Sequence, residues 1–112
     1  MLNYESPDLN YELTGKTAVI TGGAAGIGRA TADFLHSKGV HIVLADLNAN
    51  VGEIAASIGP DCIGAQGNVC DSAYPQKVID AAVAAFGRID ILVNCAGIVA
   101  LERAEDISAD YW

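Results

Sequence analysis

Four glycines fall within seven residues, at Gly22, Gly23, Gly26 and Gly28, and they stand between two segments of different periodicity. Before them, Thr17-Ala18-Val19-Ile20-Thr21 is a short β-branched and apolar run, the composition of a strand buried on both faces. After them, Ile27, Ala30, Thr31, Phe34 and Leu35 recur at helical spacing until Gly39 follows Lys38. A plain strand-to-helix turn needs one glycine. Four allow a tight turn and a close backbone approach to a bound group. The free N–H groups and dipole of the helix start then favour an anion such as a pyrophosphate. Gly28 is followed by Arg29-Ala30 rather than Lys-Ser/Thr, which excludes a nucleoside-triphosphate P-loop, and the strict G-x-G-x-x-G spacing does not fit either.

The alternation of strand and helix continues along the chain. Val40 to Leu44, closed by Asp46, reads as a second buried strand. Asn48 stands where it would cap a helix whose inner face is Val51, Ile54, Ala55 and Ile58, stopped by Gly59-Pro60. Cys62 to Ala65 is a weaker third strand, Val78, Ala82, Ala85 and Phe86 mark a helix ended by Gly87, and Ile89 to Val93 is a fourth strand. Ser108 stands where it would cap a further helix. Strands apolar on both faces, alternating with amphipathic helices, mean a parallel sheet covered on two sides. Right-handed crossovers then limit the topology to a doubly wound α/β fold of Rossmann type, strand order 3-2-1-4, with the ligand crevice between the first and fourth strands. Four strands fall short of the six of a full sheet, so the fold is expected to be incomplete.

Fourteen acidic residues against six Lys and Arg give a net charge of −8, which sets the chain against phosphate backbones and anionic lipid. No apolar run approaches a membrane span, and Met1 to Glu12 has neither the basic nor the apolar region of a secretory signal. Those twelve residues, which repeat Leu-Asn-Tyr-Glu at 2–5 and 9–12, are expected to be an acidic tail ahead of a domain at 13–112. Cys62, Cys70 and Cys95 are odd in number and lack CxxC pairing, so they read as free thiols of a cytoplasmic protein. His36 and His41 have no carboxylate or cysteine at ligand spacing in the sequence, and no metal is expected.

Taken together, Thr21-Gly22-x-x-x-Gly26-Ile27-Gly28 and Asn94-Cys95-Ala96-Gly97 resemble the TGxxxGIG and NNAG motifs of the short-chain dehydrogenase/reductase family. Cys95 takes the variable second position of the latter, and the resemblance runs from Leu13 to Trp112. It implies a cofactor-binding half in which Gly22, Ala25, Gly26, Ile27 and Gly28 form the glycine loop. Asp46, 20 residues after Gly26, would accept hydrogen bonds from a ribose diol. Its carboxylate would repel the extra phosphate of NADP, and Ala25 stands where NADP-preferring relatives often carry Arg or Lys, so NAD is the expected cofactor. Leu47 is implied to flank the adenine. Asn68-Val69 resembles the family's Asp-Val pair at that ring, with Asn keeping an acceptor for the adenine amino group; a turn Asn holding its own backbone is the other reading. Asn94 is implied to tie the central strands, and Ala96, Gly97 and Ile98 to line the cofactor's ribose side.

Members of the family transfer hydride with a Ser, a Tyr-x-x-x-Lys pair and usually an Asn, the Lys lowering the pKa of the Tyr that acts as acid or base. Here Tyr4, Tyr11 and Tyr74 are followed four residues on by Asp8, Gly15 and Val78, and Tyr111 only by Trp112. None qualifies. Two readings stay open. In one, the chain is the cofactor-binding N-terminal part of an NAD-dependent alcohol dehydrogenase or carbonyl reductase, truncated before the catalytic segment and inactive alone. In the other, it is a non-catalytic NAD-binding module or partner subunit. For a chain of 112 residues the apolar edge at Ile89, Ile91 and Val93 predicts self-association, and a homo-oligomer is expected.

Overall fold

The computed structural model describes residues 10–97 and Glu105. The elements run α1 (Asn10–Leu13), β1 (Thr17–Thr21), α2 (Gly26–Ser37), β2 (His41–Asp46), α3 (Val51–Ile58), β3 (Cys62–Gln66), α4 (Tyr74–Phe86) and β4 (Ile91–Asn94). The four strands form one parallel sheet in the order β3-β2-β1-β4, the order expected of a Rossmann-type fold. Residues 1–9 of the expected tail, Ser108 and Ile98 lie outside the described residues, and α1 crosses the boundary expected after Glu12.

Alternate residues of each strand feed two cores. Ala18, Ile20, Ile42 and Leu44 face α2 and α3, meeting Ala32, Val51 and Ala55. Val19, Val43, Ala45 and Ala65 face α4, meeting Tyr74, Val78 and Ala82. Ile20, Ile42 and Leu44 have no exposed surface, and each such side chain contributes roughly 1.5–3 kcal/mol relative to exposure. Among the described residues no helix is long and apolar enough to cross a membrane.

Three local expectations need correction. The apolar stripe read on α2 is only in part its buried face: Leu35 packs partly on the core, but Ile27 is 79% and Phe34 58% exposed, while Gly28 and Ala32 are buried. Close packing of Gly28 on the preceding loop sets the rotation of the helix, so that Gly28, Ala32 and Leu35 meet the sheet. Asn48 does not cap α3. Its Oδ1 accepts the Asn50 N–H at 2.8 Å in a turn one step earlier, and Asn50 occupies the cap position without a side-chain bond. At the sheet edge, β4 begins at Ile91 rather than Ile89. Ile91 and Val93 pack partly on the α2 side, and Leu92 is the strand's most exposed hydrophobic residue at 62%.

Candidate functional site

The carboxyl ends of all four strands open onto one cavity of about 380 Å³. Gly22 and Ala25 supply one wall, Asp46 and Leu47 a second, Gly67 to Cys70 a third, and Cys95 to Gly97 the fourth. Folding therefore brings eight of the expected cofactor residues to one space: Gly22, Ala25, Asp46, Leu47, Asn68, Val69, Ala96 and Gly97. Leu47 and Val69 are exposed apolar side chains at its rim.

The glycines of the loop do separate jobs. Gly22 has φ +66° and lies so near the segment after β4 that a Cβ would stand 2.7 Å from the Ala96 nitrogen. Its N–H donates to the Ala45 carbonyl at 2.8 Å. Gly26, at φ +58°, has open space where a Cβ would be. Gly28 packs on the loop itself, since a Cβ there would stand 2.2 Å from the Gly22 carbonyl oxygen. No side chain caps α2: Ala25, at the cap position, is extended and has no side-chain bond to give. The helix thus presents first-turn amides and the positive end of its dipole without a competing protein acceptor from the cap. Ile27 sits in that first turn, largely exposed.

Asp46 holds the loop from the next strand. Its Oδ2 accepts the Ala24 N–H and its Oδ1 the Asn48 N–H, both at 3.0 Å. A carboxylate has about four acceptor positions, so two remain for a ligand. Asn68 adopts the turn conformation: Oδ1 accepts the Cys70 N–H and its carbonyl the Asp71 N–H, each at 2.9 Å. One lone pair of Oδ1 stays free. Asn94 stands in register with Thr21, with its side chain exposed and facing a neighbouring apolar groove. The side-chain tie between the central strands comes from Thr21, whose Oγ1 accepts the N–H groups of Cys95 and Ala96 at 3.2 Å.

Thr21 and Gly67 are site residues that the sequence reading did not single out as such. A Cβ on Gly67 would stand 2.3 Å from Cδ2 of Tyr74, and the Gly67 N–H donates to the Asp46 carbonyl at 2.9 Å. A glycine directly after the third strand was the available signal. Tyr74 itself is a core residue whose hydroxyl donates to the Ala65 carbonyl; burial, and secondarily Asp46, hold its pKa up.

The family model for short chain dehydrogenase matches residues 16–112. The chain belongs to the short-chain dehydrogenase family. It is 36% identical over 112 residues to an NAD-dependent glycerol dehydrogenase of Listeria innocua, covering 99% of this chain and 44% of that protein. It is 45% identical over 111 residues to a D-threitol dehydrogenase of Mycolicibacterium smegmatis, covering 96% and 43%. The chain thus spans under half the length of these curated relatives. Among solved structures, a short-chain dehydrogenase/reductase from Burkholderia phymatum in complex with NAD superposes with a TM-score of 0.81 at 37% identity, covering 90% of this chain and 37% of the other. A 3-ketoacyl-(acyl-carrier-protein) reductase from Brucella melitensis complexed with NADH gives a TM-score of 0.80 at 32% identity, covering 88% and 42%. This short-chain dehydrogenase chain accordingly carries the family's Rossmann half, and its cavity lies where the strand order reverses.

Proposed function

We propose that this chain is the NAD-binding part of an oxidoreductase that moves hydride between NAD and an alcohol or carbonyl substrate. The observation that carries the reading is the pairing of two features at one cavity: an uncapped helix start behind the glycine loop that lines it with Gly22 and Ala25, and the Asp46 carboxylate hydrogen-bonded to that loop. The residues present fit a dinucleotide. The first-turn amides around Ala25, Gly26, Ile27 and Gly28 suit a pyrophosphate, and the two acceptor positions left on Asp46 suit a ribose diol. Leu47 and Val69 would hold an adenine ring between apolar side chains, and Asn68 Oδ1 would offer an acceptor for its amino group. Asn94, Ala96, Gly97 and Ile98 complete the ribose side of the reading. When bound, the nicotinamide supplies the hydride donor or acceptor.

Asp46 also supports NAD over NADP, because a 2′-phosphate beside an ionised carboxylate meets like charge. Titrating the 112-residue chain with NADH and NADPH, followed by nicotinamide fluorescence, tests the reading directly. Saturable NADH binding that exceeds NADPH binding by about tenfold, with no alcohol oxidation by this chain, is the expected result. Equal affinity for the two would remove the NAD preference, and no binding of either would remove the assignment of the cavity.

A further inference from the structure

At the opposite, amino end of the sheet, folding assembles a second group of side chains far along the chain from one another. His36 lies in the last turn of α2, and its Nε2 is 2.7 Å from Asp61 Oδ1, 25 residues away in sequence. A ring nitrogen of His36, a carboxylate oxygen of Asp61 and Cys62 Sγ all lie within 4.8 Å of one another. Asp61 turns its other oxygen toward β2, placing Oδ2 3.9 Å from His41 Nδ1, a buried nitrogen with no hydrogen-bond partner among the described residues. The His41 ring is stacked on Phe86 at 4.9 Å. The sequence spacing showed neither a carboxylate nor a thiol near these histidines; the pairing of β2 with β3 supplies both.

We propose that His36 Nε2, Asp61 Oδ1 and Cys62 Sγ form a binding site for a divalent transition ion of the Zn²⁺ type. Nitrogen, oxygen and sulfur donors together are the set that such an ion takes, whereas Mg²⁺ and Ca²⁺ require oxygen. Donors about 2.0–2.3 Å from a tetrahedral ion stand about 3.3–3.7 Å apart. The His36–Asp61 contact therefore opens by less than an ångström on binding, and Sγ moves in by about one. Three protein donors leave a fourth position for water, on the side where the His36 and Asp61 side chains are 28% and 33% exposed.

The backbone around the donors is already held. The Asp61 carbonyl accepts the Ile42 N–H at 3.1 Å, and the Cys62 N–H donates to Gly59 at 3.2 Å. Gly59 makes the space for the imidazole, because a Cβ there would stand 2.7 Å from His36 Nε2. The local field also suits a cation. The carboxylates of Asp61 and Asp33 both act on the Cys62 sulfur, and their negative field attracts a dication. On coordination the thiol proton passes to solvent and the ion takes its place on sulfur, with no change of oxidation state. The ion would join the end of α2 to the start of β3 and stabilise the folded state by mass action.

The test is a titration of the metal-free 112-residue chain with Co²⁺, followed by absorbance, circular dichroism and thermal melting. The expected result is one equivalent bound, a thiolate-to-cobalt charge-transfer band, displacement by Zn²⁺ and a raised Tm. The band disappears in Cys62→Ser and persists in the double variant Cys70→Ser/Cys95→Ser. Because Cys62 is buried, a folding defect in its variant would mask the result, so His36→Gln, at a partly exposed residue, provides an independent check: its affinity falls by about tenfold or more. Absence of a thiolate band in the parent chain, or unchanged affinity in a folded His36→Gln variant, overturns the proposal. Because the site lies at the other end of the sheet, neither result depends on whether NADH binds.

Discussion

The two ends of this sheet treat their polar groups in opposite ways. At the carboxyl end the chain leaves backbone unpaired: α2 starts without a side-chain cap, Gly26 faces open space, and Asp46 keeps acceptor capacity after holding the loop. At the amino end, side chains close the ladder. The Thr17 N–H donates to Asp90 Oδ2 and the Asp90 N–H to the Thr17 carbonyl, both at 2.9 Å. Arg88 then grips the same carboxylate through Nε at 2.8 Å and Nη2 at 2.7 Å. The carboxyl end leaves donors for a ligand, whereas the amino ends of β1 and β4 use theirs to fasten one strand to the other, apart from the His36, Asp61 and Cys62 cluster beside β2 and β3. Substitutions at the first end are therefore expected to register in nucleotide affinity, and those at the second in stability.

Gly28→Ala is the most severe way to break this contrast. The new Cβ would stand 2.2 Å from a backbone oxygen, with no flexible side chain to yield, so the loop itself has to move. Overpacking of this kind costs about 1–3 kcal/mol or more. An affinity loss for NADH of about a hundredfold is expected by titration, with a lowered melting temperature. A variant that binds as the parent does would show that the cradle is not the ligand's seat. Asp46→Asn comes next, since it preserves size but removes charge. A hydrogen bond to a charged group contributes about 1.5–3 kcal/mol, so NADH affinity falls by about tenfold or more while the margin over NADPH narrows. A parallel loss of both, with the margin intact, would assign Asp46 to loop support alone.

Asp90→Asn probes the other end. The Arg88 side chain, and after it the Thr17 N–H, hold the Asp90 carboxyl below its ordinary value of 3.8. A depressed folded pKa means that this contribution to stability is complete above the unfolded value and is lost as pH falls through the folded one. Thermal melts are expected to show the variant lower than the parent by a few degrees at pH 7, with the gap closing in acid and NADH affinity unchanged throughout. A gap that stays constant down to the acid limit would mean that ionisation of Asp90 does not drive the fastening.

The same contrast explains what could be read from residue order. The carboxyl end was legible because its signals are local: the glycines follow their strand directly, Asp46 closes the next strand, and Asn94 to Gly97 follow the last. Apolar runs and crossover handedness pointed to a parallel doubly wound sheet, and the Rossmann-type order then placed the strands 3-2-1-4. At the amino end the partners are far apart in sequence, 73 residues for Thr17 and Asp90 and 25 for His36 and Asp61. No periodicity marks such pairs. The role of Thr21 was hidden for a similar reason, as its hydroxyl reaches Cys95 and Ala96 only once β1 and β4 lie side by side. The rotation of α2 was misread because hydrophobicity suggested the face, whereas the packing of Gly28 against Gly22 decided it.

Phe34→Ser tests that last point with the smallest expected effect. Helix α2 runs from the open end of the sheet to the fastened one, and the outward stripe that carries Ile27 and Phe34 belongs to neither. Phe34 is 58% exposed, and its described contact with a charged group is the Lys38 ammonium 5.5 Å from the ring centroid. An exposed cation–π contact contributes about 0.5–1 kcal/mol, and surface substitutions otherwise stay within about 0.5 kcal/mol. Denaturant unfolding of the 112-residue chain is therefore expected to shift by no more than about 1 kcal/mol, with NADH affinity unaffected. Losing a buried phenylalanine costs about 3–5 kcal/mol instead. A shift of that size would put the large residues against the sheet, and the glycine contact would then no longer explain how the helix start is aimed at the cavity.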